Sequence, residues 1–273
     1  MTMNVRRIPS SGEELPVIGC GTYRGFDHTP GTAEHARLPG VLDALFEQGG
    51  TVLDSSPMYG RAETTVGELL AGRRERDNAF VATKVWTSGR DAGIREMEDS
   101  MRKLGAEHID LMQIHNLLDW RVHLPTLRKW KDAGKVRYIG ITHYTSSAHA
   151  EIESIIRKEE LDFLQINYSI DDRAAEQRLF PLAIERGVAV LVNIPFGGGG
   201  LLRTLRNKPL PGWAAEIGCA SWSHVLLKFV LSQPAVTCVI PGSGDAEHMA
   251  ANAVAGVGPT VDARFWQDKF PRV

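Results

Sequence analysis

The sequence predicts a single (β/α)8 barrel of the α/β class (a TIM barrel), with an N-terminal β-hairpin ahead of it. Three observations carry that reading. Eight short apolar runs recur along the 273 residues, at 17–20, 51–54, 79–84, 109–115, 136–141, 163–167, 188–193 and 236–240. Their continuous apolar character suits parallel strands covered on the outside. A helix candidate follows each run, and the regular alternation over one domain, 1–273, favours closure over an open doubly wound sheet.

Taken in order, residues 1–16 hold the hairpin, with Ser11-Gly12 at its turn and a position from which it can plug the barrel bottom. Leu38, Val41, Leu42, Leu45 and Phe46 then form a helical stripe that Gly49-Gly50 stops before the second strand. Ile94, Met97, Met101 and Leu104 repeat the pattern, closed by Gly105 ahead of the fourth strand. Gly134 and Gly187 stand in the same place before the fifth and seventh strands. The run Gly197-Gly198-Gly199-Gly200 follows the seventh strand, and Pro30-Gly31 and Pro209-Leu210-Pro211-Gly212 mark further loops.

Composition narrows the function. Hydrophobic residues make up 43% of the chain and the formal net charge is −2, with both signs interspersed, so neither nucleic acid nor an anionic membrane is the expected partner. A small molecule is. No stretch approaches the roughly 18–20 apolar residues of a membrane span. Cys20, Cys219 and Cys238 are odd in number and form no CxxC pair, which points to free thiols and a cytoplasmic setting. Arg6-Arg7 is followed by polar residues where an export signal needs an apolar segment. The histidines show no HExxH spacing, so no metal site is expected, and GxSxG and Walker loops are missing from the sequence.

In a parallel barrel one rim collects the C-terminal ends of all strands, and residues far apart in sequence meet there. Asp54, Lys84 and His115 end the second, third and fourth runs, and Tyr59 lies five residues past Asp54. An ammonium beside a phenol favours the phenolate, and a carboxylate beside that ammonium compensates its burial. The expected product is a tyrosine general acid with a lowered pKa. Singly, each residue has a plainer role: Asp54 as a helix cap, Lys84 as a snorkelling strand end, Tyr59 as packing, His115 as a hydrogen-bonded core histidine. Their convergence on one rim favours catalysis.

These residues, with Gly19-Cys20-Gly21-Thr22-Tyr23, Asp54-Ser55-Ser56-Pro57-Met58-Tyr59-Gly60, Ala82-Thr83-Lys84, Gln113-Ile114-His115, Gln165-Ile166-Asn167-Tyr168 and Val239-Ile240-Pro241-Gly242-Ser243, resemble the aldo-keto reductase family over nearly the whole chain. The resemblance implies an NAD(P)-dependent oxidoreductase that reduces an aldehyde or ketone to an alcohol by hydride transfer. Tyr59 would give the proton, Lys84 and Asp54 would tune it, and His115 would orient the carbonyl oxygen. NADP(H) is the implied cofactor, with NAD(H) as the alternative. Gly21, Thr22, Tyr23 and Asp54 would lie near the nicotinamide ribose, and Thr142, His143 and Gln165 near the carboxamide. Phe196, Gly197, Gly198 and Gly200 would face the pyrophosphate, where glycine amides approach phosphate closely. Ser243, His248 and Asn252 would complete the site.

The chain departs from the family pattern at that cofactor end. Asn193 stands where a tyrosine usually stacks on the nicotinamide, with Phe196 as a candidate substitute, and His143 stands where an asparagine is usual. Gly242 and His248 replace a lysine and an arginine, a loss that weakens preference for the 2′-phosphate; Arg203, Arg206 or Lys208 are candidates to restore the charge. Two other readings stay open on the same barrel: a redox-neutral lyase or isomerase, and a noncatalytic nucleotide sensor. Short loops after the third and fourth strands predict an open pocket lined by Tyr23, Met58, Trp86, His115 and Trp120.

Overall fold

The computed structural model describes residues 2–269. β1 (Val5–Arg7) and β2 (Glu14–Pro16) form the expected antiparallel hairpin, with Val5 opposite Pro16. Eight parallel strands follow in chain order: β3 (Cys20–Gly21), β4 (Val52–Asp54), β5 (Phe80–Val85), β6 (Ile109–His115), β7 (Val136–Thr142), β8 (Phe163–Asn167), β9 (Ala189–Asn193) and β10 (Val236–Val239). Between them run α1 (Ala33–Glu47), α2 (Ala62–Leu70), α3 (Arg90–Leu104), α4 (Trp120–Asp132), α5 (His149–Lys158), α6 (Leu179–Arg186), α7 (Gly200–Leu205) and α8 (Trp222–Leu231). α9 (Ala246–Val254) and α10 (Ala263–Lys269) follow the last strand.

The sheet curls until its first and last strands meet. Gly19 N–H donates to the Val239 carbonyl, Val239 N–H to that of Val17 (both 2.9 Å), and Gly21 N–H to that of Pro241 at 3.1 Å. The first strand was expected at 17–20, yet its regular ladder with β4 covers only Cys20 and Gly21. Residues 17–19 instead meet Val239 across the closure.

Alternation sorts every barrel strand into an inward and an outward set. Inward residues Val52, Phe80, Ala82, Leu111, Tyr138, Phe163, Ala189, Leu191, Cys238 and Ile240 form a compact inner core, and Ile8 and Leu15 of the hairpin seal its lower end. Each fully buried Leu or Phe in such a core contributes about 1.5–3 kcal/mol relative to exposure. Gly140 takes the inward place on β7 between Tyr138 and Thr142. A Cβ there would sit 2.6 Å from the Phe163 carbonyl oxygen, so a side chain at this position would collide with the backbone of β8. The hairpin is pinned by polar contacts as well: Tyr138 donates to Glu13 at 2.5 Å, and Arg6 donates to the carbonyls of Leu231, Gln233 and Val236.

Continuing each inward register upward reaches polar residues. Asp54 tops β4, Lys84 β5, Gln113 and His115 β6, Thr142 β7, Gln165 and Asn167 β8, and Asn193 β9. The barrel thus changes from hydrocarbon to hydrogen-bonding groups at a single level. That level is the C-terminal rim.

Candidate active site

Asp54 and Lys84 lie at adjacent strand ends and are nearly sealed from solvent, at 2% and 1% exposure. Lys84 Nζ donates to Asp54 Oδ1 at 2.9 Å, to Oδ2 at 2.8 Å and to the Ser55 carbonyl at 2.6 Å. Gln113 and Gln165 close over the same carboxylate with N–H donors at 3.3 and 3.1 Å. A buried ion pair survives only when its remaining lone pairs and protons are also satisfied. Here they are.

Tyr59 arrives from the loop after β4, where Tyr59 N–H bonds the Ser56 carbonyl at 3.0 Å and folds the phenol back over the rim. Lys84 Nζ lies 5.0 Å from its ring centroid. The His115 ring meets Tyr59 edge-on at 5.8 Å, and its Nδ1 is 2.9 Å from Ser56 Oγ. Tyr23 and Trp86 extend this aromatic wall, 5.0 Å from Tyr59 and 6.3 Å from His115, and both are more than a third exposed. All four expected catalytic groups therefore meet around one open mouth.

Burial pushes the Tyr59 phenol above its ordinary value, and this outweighs the downward pull of Lys84. The sequence predicted a net lowering; Lys84 acts in that direction, but desolvation of the phenolate is the larger effect. Burial pulls the Lys84 ammonium down, while Asp54 and Tyr59 more than restore it, so it remains charged. His115 is driven down to about 2, first by burial and then by Lys84 and His143. At neutral pH the site holds a protonated phenol, a fixed ammonium and a neutral imidazole.

Elsewhere on the rim, Thr22 Oγ1 donates to the Asp54 carbonyl at 3.0 Å and ties the first rim loop to the tetrad. Gln165 and Asn193 spend their N–H groups on Asp54 and on the His143 carbonyl (3.1 Å), leaving the Oε1 and Oδ1 acceptors buried without partners. His143 stacks flat on Tyr144 at 5.4 Å beside them. Gly197, Gly198 and Gly199 take φ of 57°, 63° and 85° in succession, a turn open to few other residues. The Arg203 guanidinium folds back to 3.8 Å from the place a Gly199 Cβ would occupy. Phe196, the candidate to replace the stacking tyrosine, is 9% exposed and packs against the core, and its backbone carbonyl accepts from Gly199 N–H at 3.0 Å. Beyond β10, Ser243 Oγ bonds the Asp245 carbonyl at 2.9 Å, Asn252 is buried, and His248 is exposed at the start of α9.

Trp120 opens α4, where its indole N–H donates to Glu151 of α5 at 3.2 Å and its partly buried side chain packs against the core. Met58 stays in the Tyr59 loop, its N–H 3.4 Å from Ser56 Oγ. Sequence reasoning passed over Gln113 and Ser56. Gln113 shares the inward register of Leu111 and His115, so strand alternation was sufficient to find it. Two clefts of about 610 and 670 Å³ lie at the hairpin end, lined by residues such as Arg6 and Val236, or Arg128 and Arg186. Their size does not make them the site, since the convergent polar groups are at the other end.

A closed parallel barrel with tyrosine, lysine, aspartate and histidine gathered at its C-terminal rim defines the class of barrel to which the comparisons point. The Aldo/keto reductase family profile matches residues 17–266, and the chain belongs to that family. Methylglyoxal reductase YeaE of Escherichia coli is 29% identical over 260 residues, covering 92% of this chain and 89% of its own. The holo form of aldo-keto reductase AKR11C1 from Bacillus halodurans superposes with a TM-score of 0.81 at 25% identity, covering 99% of this chain and 97% of that one. An aldo-keto reductase from Klebsiella pneumoniae in complex with NADPH has the same fold, with a TM-score of 0.82, 23% identity, and 100% and 97% of the two chains covered.

Proposed function

We propose that this protein reduces an aldehyde or ketone to the alcohol with NADP(H), NAD(H) being the alternative cofactor. The observation that carries the reading is the sealed Asp54–Lys84 pair behind Tyr59, with Lys84 Nζ 2.8 Å from the carboxylate. The residues fit a nicotinamide. The orphaned Gln165 and Asn193 oxygens suit a carboxamide NH2, and the Gly197–Gly199 turn with Arg203 suits phosphate oxygens. Bound there, the nicotinamide supplies a hydride to the carbonyl carbon.

The protein's own residues handle the oxygen. Neutral His115 donates a hydrogen bond to it, and Tyr59, protonated at neutral pH, transfers its hydroxyl proton to it as the C=O becomes C–OH. Lys84 stabilises the phenolate left behind, and Asp54 keeps Lys84 in place and charged. Water then returns a proton to Tyr59.

Methylglyoxal, the substrate in the name of the Escherichia coli relative, is the first carbonyl to assay. The exposed Tyr23 and Trp86 rings support an open pocket that also admits bulkier apolar carbonyls. No helix among the described residues is long and apolar enough to cross a membrane, and the three buried free cysteines support a cytoplasmic setting. The test is fluorescence titration with NADPH and NADH followed by turnover of an aldehyde panel. Lack of binding to either at millimolar concentration overturns the redox reading.

A further inference from the structure

We propose that Ser56 is a positioning residue that holds His115 in the tautomer protonated on Nε2, so that the imidazole presents a donor to the substrate oxygen. The inference rests on the carbonyl-reductase reading for its consequence, though not for its geometry. Ser56 is fully buried and His115 is 6% exposed, with Oγ and Nδ1 2.9 Å apart.

A distance alone leaves the direction of this bond open; the surroundings decide it. Ser56 Oγ already accepts from Met58 N–H at 3.4 Å, and His115 Nδ1 is the acceptor within reach of its hydroxyl proton among the described residues. Were the imidazole proton on Nδ1, Oγ would face two N–H donors and its own proton would be buried without an acceptor, an expensive arrangement. With the proton on Nε2, each group finds its complement: Met58 N–H to Oγ, Oγ–H to Nδ1. Nε2–H then has no protein partner among the described residues and is left to serve a ligand. The choice of ring nitrogen is set by the bond the other nitrogen makes.

This arrangement divides labour inside the loop. Adjacent serines serve different members of the tetrad: the Ser55 carbonyl accepts from Lys84 at 2.6 Å, and the Ser56 hydroxyl addresses His115. The segment that delivers Tyr59 thereby also sets the lysine and the histidine. A wrong tautomer would turn a lone pair toward the carbonyl oxygen and repel it.

The experiment compares wild type, Ser56→Ala and Ser56→Thr, using 15N NMR of imidazole-labelled protein at neutral pH together with steady-state kinetics. Wild type is expected to show His115 as the Nε2–H tautomer, with Nδ1 carrying the signature of a hydrogen-bond acceptor. Ser56→Ala should erase that acceptor signature, mix the tautomers and lower kcat by roughly tenfold, the lower end for loss of a supporting hydrogen bond. Ser56→Thr, which keeps the hydroxyl, should recover both. A wild-type proton on Nδ1 overturns the proposal, as does a kcat loss in Ser56→Ala with an unchanged His115 spectrum. If the expected spectra appear but wild type reduces no carbonyl, the tautomer assignment stands and the reductase reading falls.

Discussion

Lys84→Met removes the charge from the centre of the site while keeping much of the side chain's volume. Three buried acceptors then lose a donor: Asp54 Oδ1, Asp54 Oδ2 and the Ser55 carbonyl. Breaking one partner of a buried ion pair costs about 3–5 kcal/mol. Asp54 retains the Gln113 and Gln165 amides, which places the expected loss near about 3 kcal/mol rather than the upper figure. Urea unfolding at neutral pH should accordingly show a lower midpoint for the variant than for wild type. Adding Asp54→Asn should recover part of the deficit at neutral pH, since a neutral amide remains where a lone carboxylate was. A midpoint equal to wild type, or a double variant no better than the single one, would refute the reasoning that Lys84 and Asp54 stabilise each other.

Tyr59→Phe should leave cofactor affinity intact and lower turnover by roughly 100-fold or more, the expected cost of losing a general acid; paired fluorescence titration and initial rates measure both. Because His115 is neutral down to about 2 and burial raises Tyr59, kcat for reduction should stay level between about pH 5 and 9 and fall only as the phenol ionises above its ordinary value of about 10. A limb near about pH 6.5 would assign the proton to a histidine instead. Ile194 has a φ of 52°, where a β-branched residue is strained, so Ile194→Asn should raise the urea stability by about 0.5–1 kcal/mol. Unchanged or lower stability would show that packing of the isoleucine outweighs its backbone cost.

Period and punctuation made the fold legible. Eight apolar runs separated by helical stripes correspond to β3 through β10, and the errors are confined to the edges, as at the closure seam, where residues 17–19 pair with Val239 rather than extending the ladder with β4. The tetrad was legible for the same reason: Asp54, Lys84 and His115 end their strands in the inward register, so knowing the strand fixes the direction of the side chain. Trp120 and Phe196 were less legible because they lie past the strand ends, where a turn decides which way a ring points. Asn116, Leu117 and Asp119 all have positive φ in the turn before α4, and no alternation rule anticipates where Trp120 emerges from it. The Tyr59 pKa required three dimensions for another reason, since a neighbour can be inferred from sequence but the balance between its charge and desolvation depends on how deeply both are buried.

The two halves of the site differ in how they are held, and the difference follows from where they stand. The polar groups on the strand ends are bound to one another and to the loop after β4: Asp54 carries Lys84, Gln113 and Gln165, while His115 carries Ser56. Altering one exposes the buried polarity of the next, so substitution there is costly. Groups proposed to face the cofactor include those on the loops after β9 and β10, where His248 is exposed and Asp245 uses its carboxylate to cap α9 through the His248 N–H at 3.0 Å. The Arg203 guanidinium is folded against the glycine turn from α7, and it is the cation we propose for the phosphate side of the cofactor. A guanidinium on a short helix can be exchanged without disturbing the barrel. On the proposed function, exchange at Arg203 alters cofactor preference and leaves the groups around Tyr59 in place.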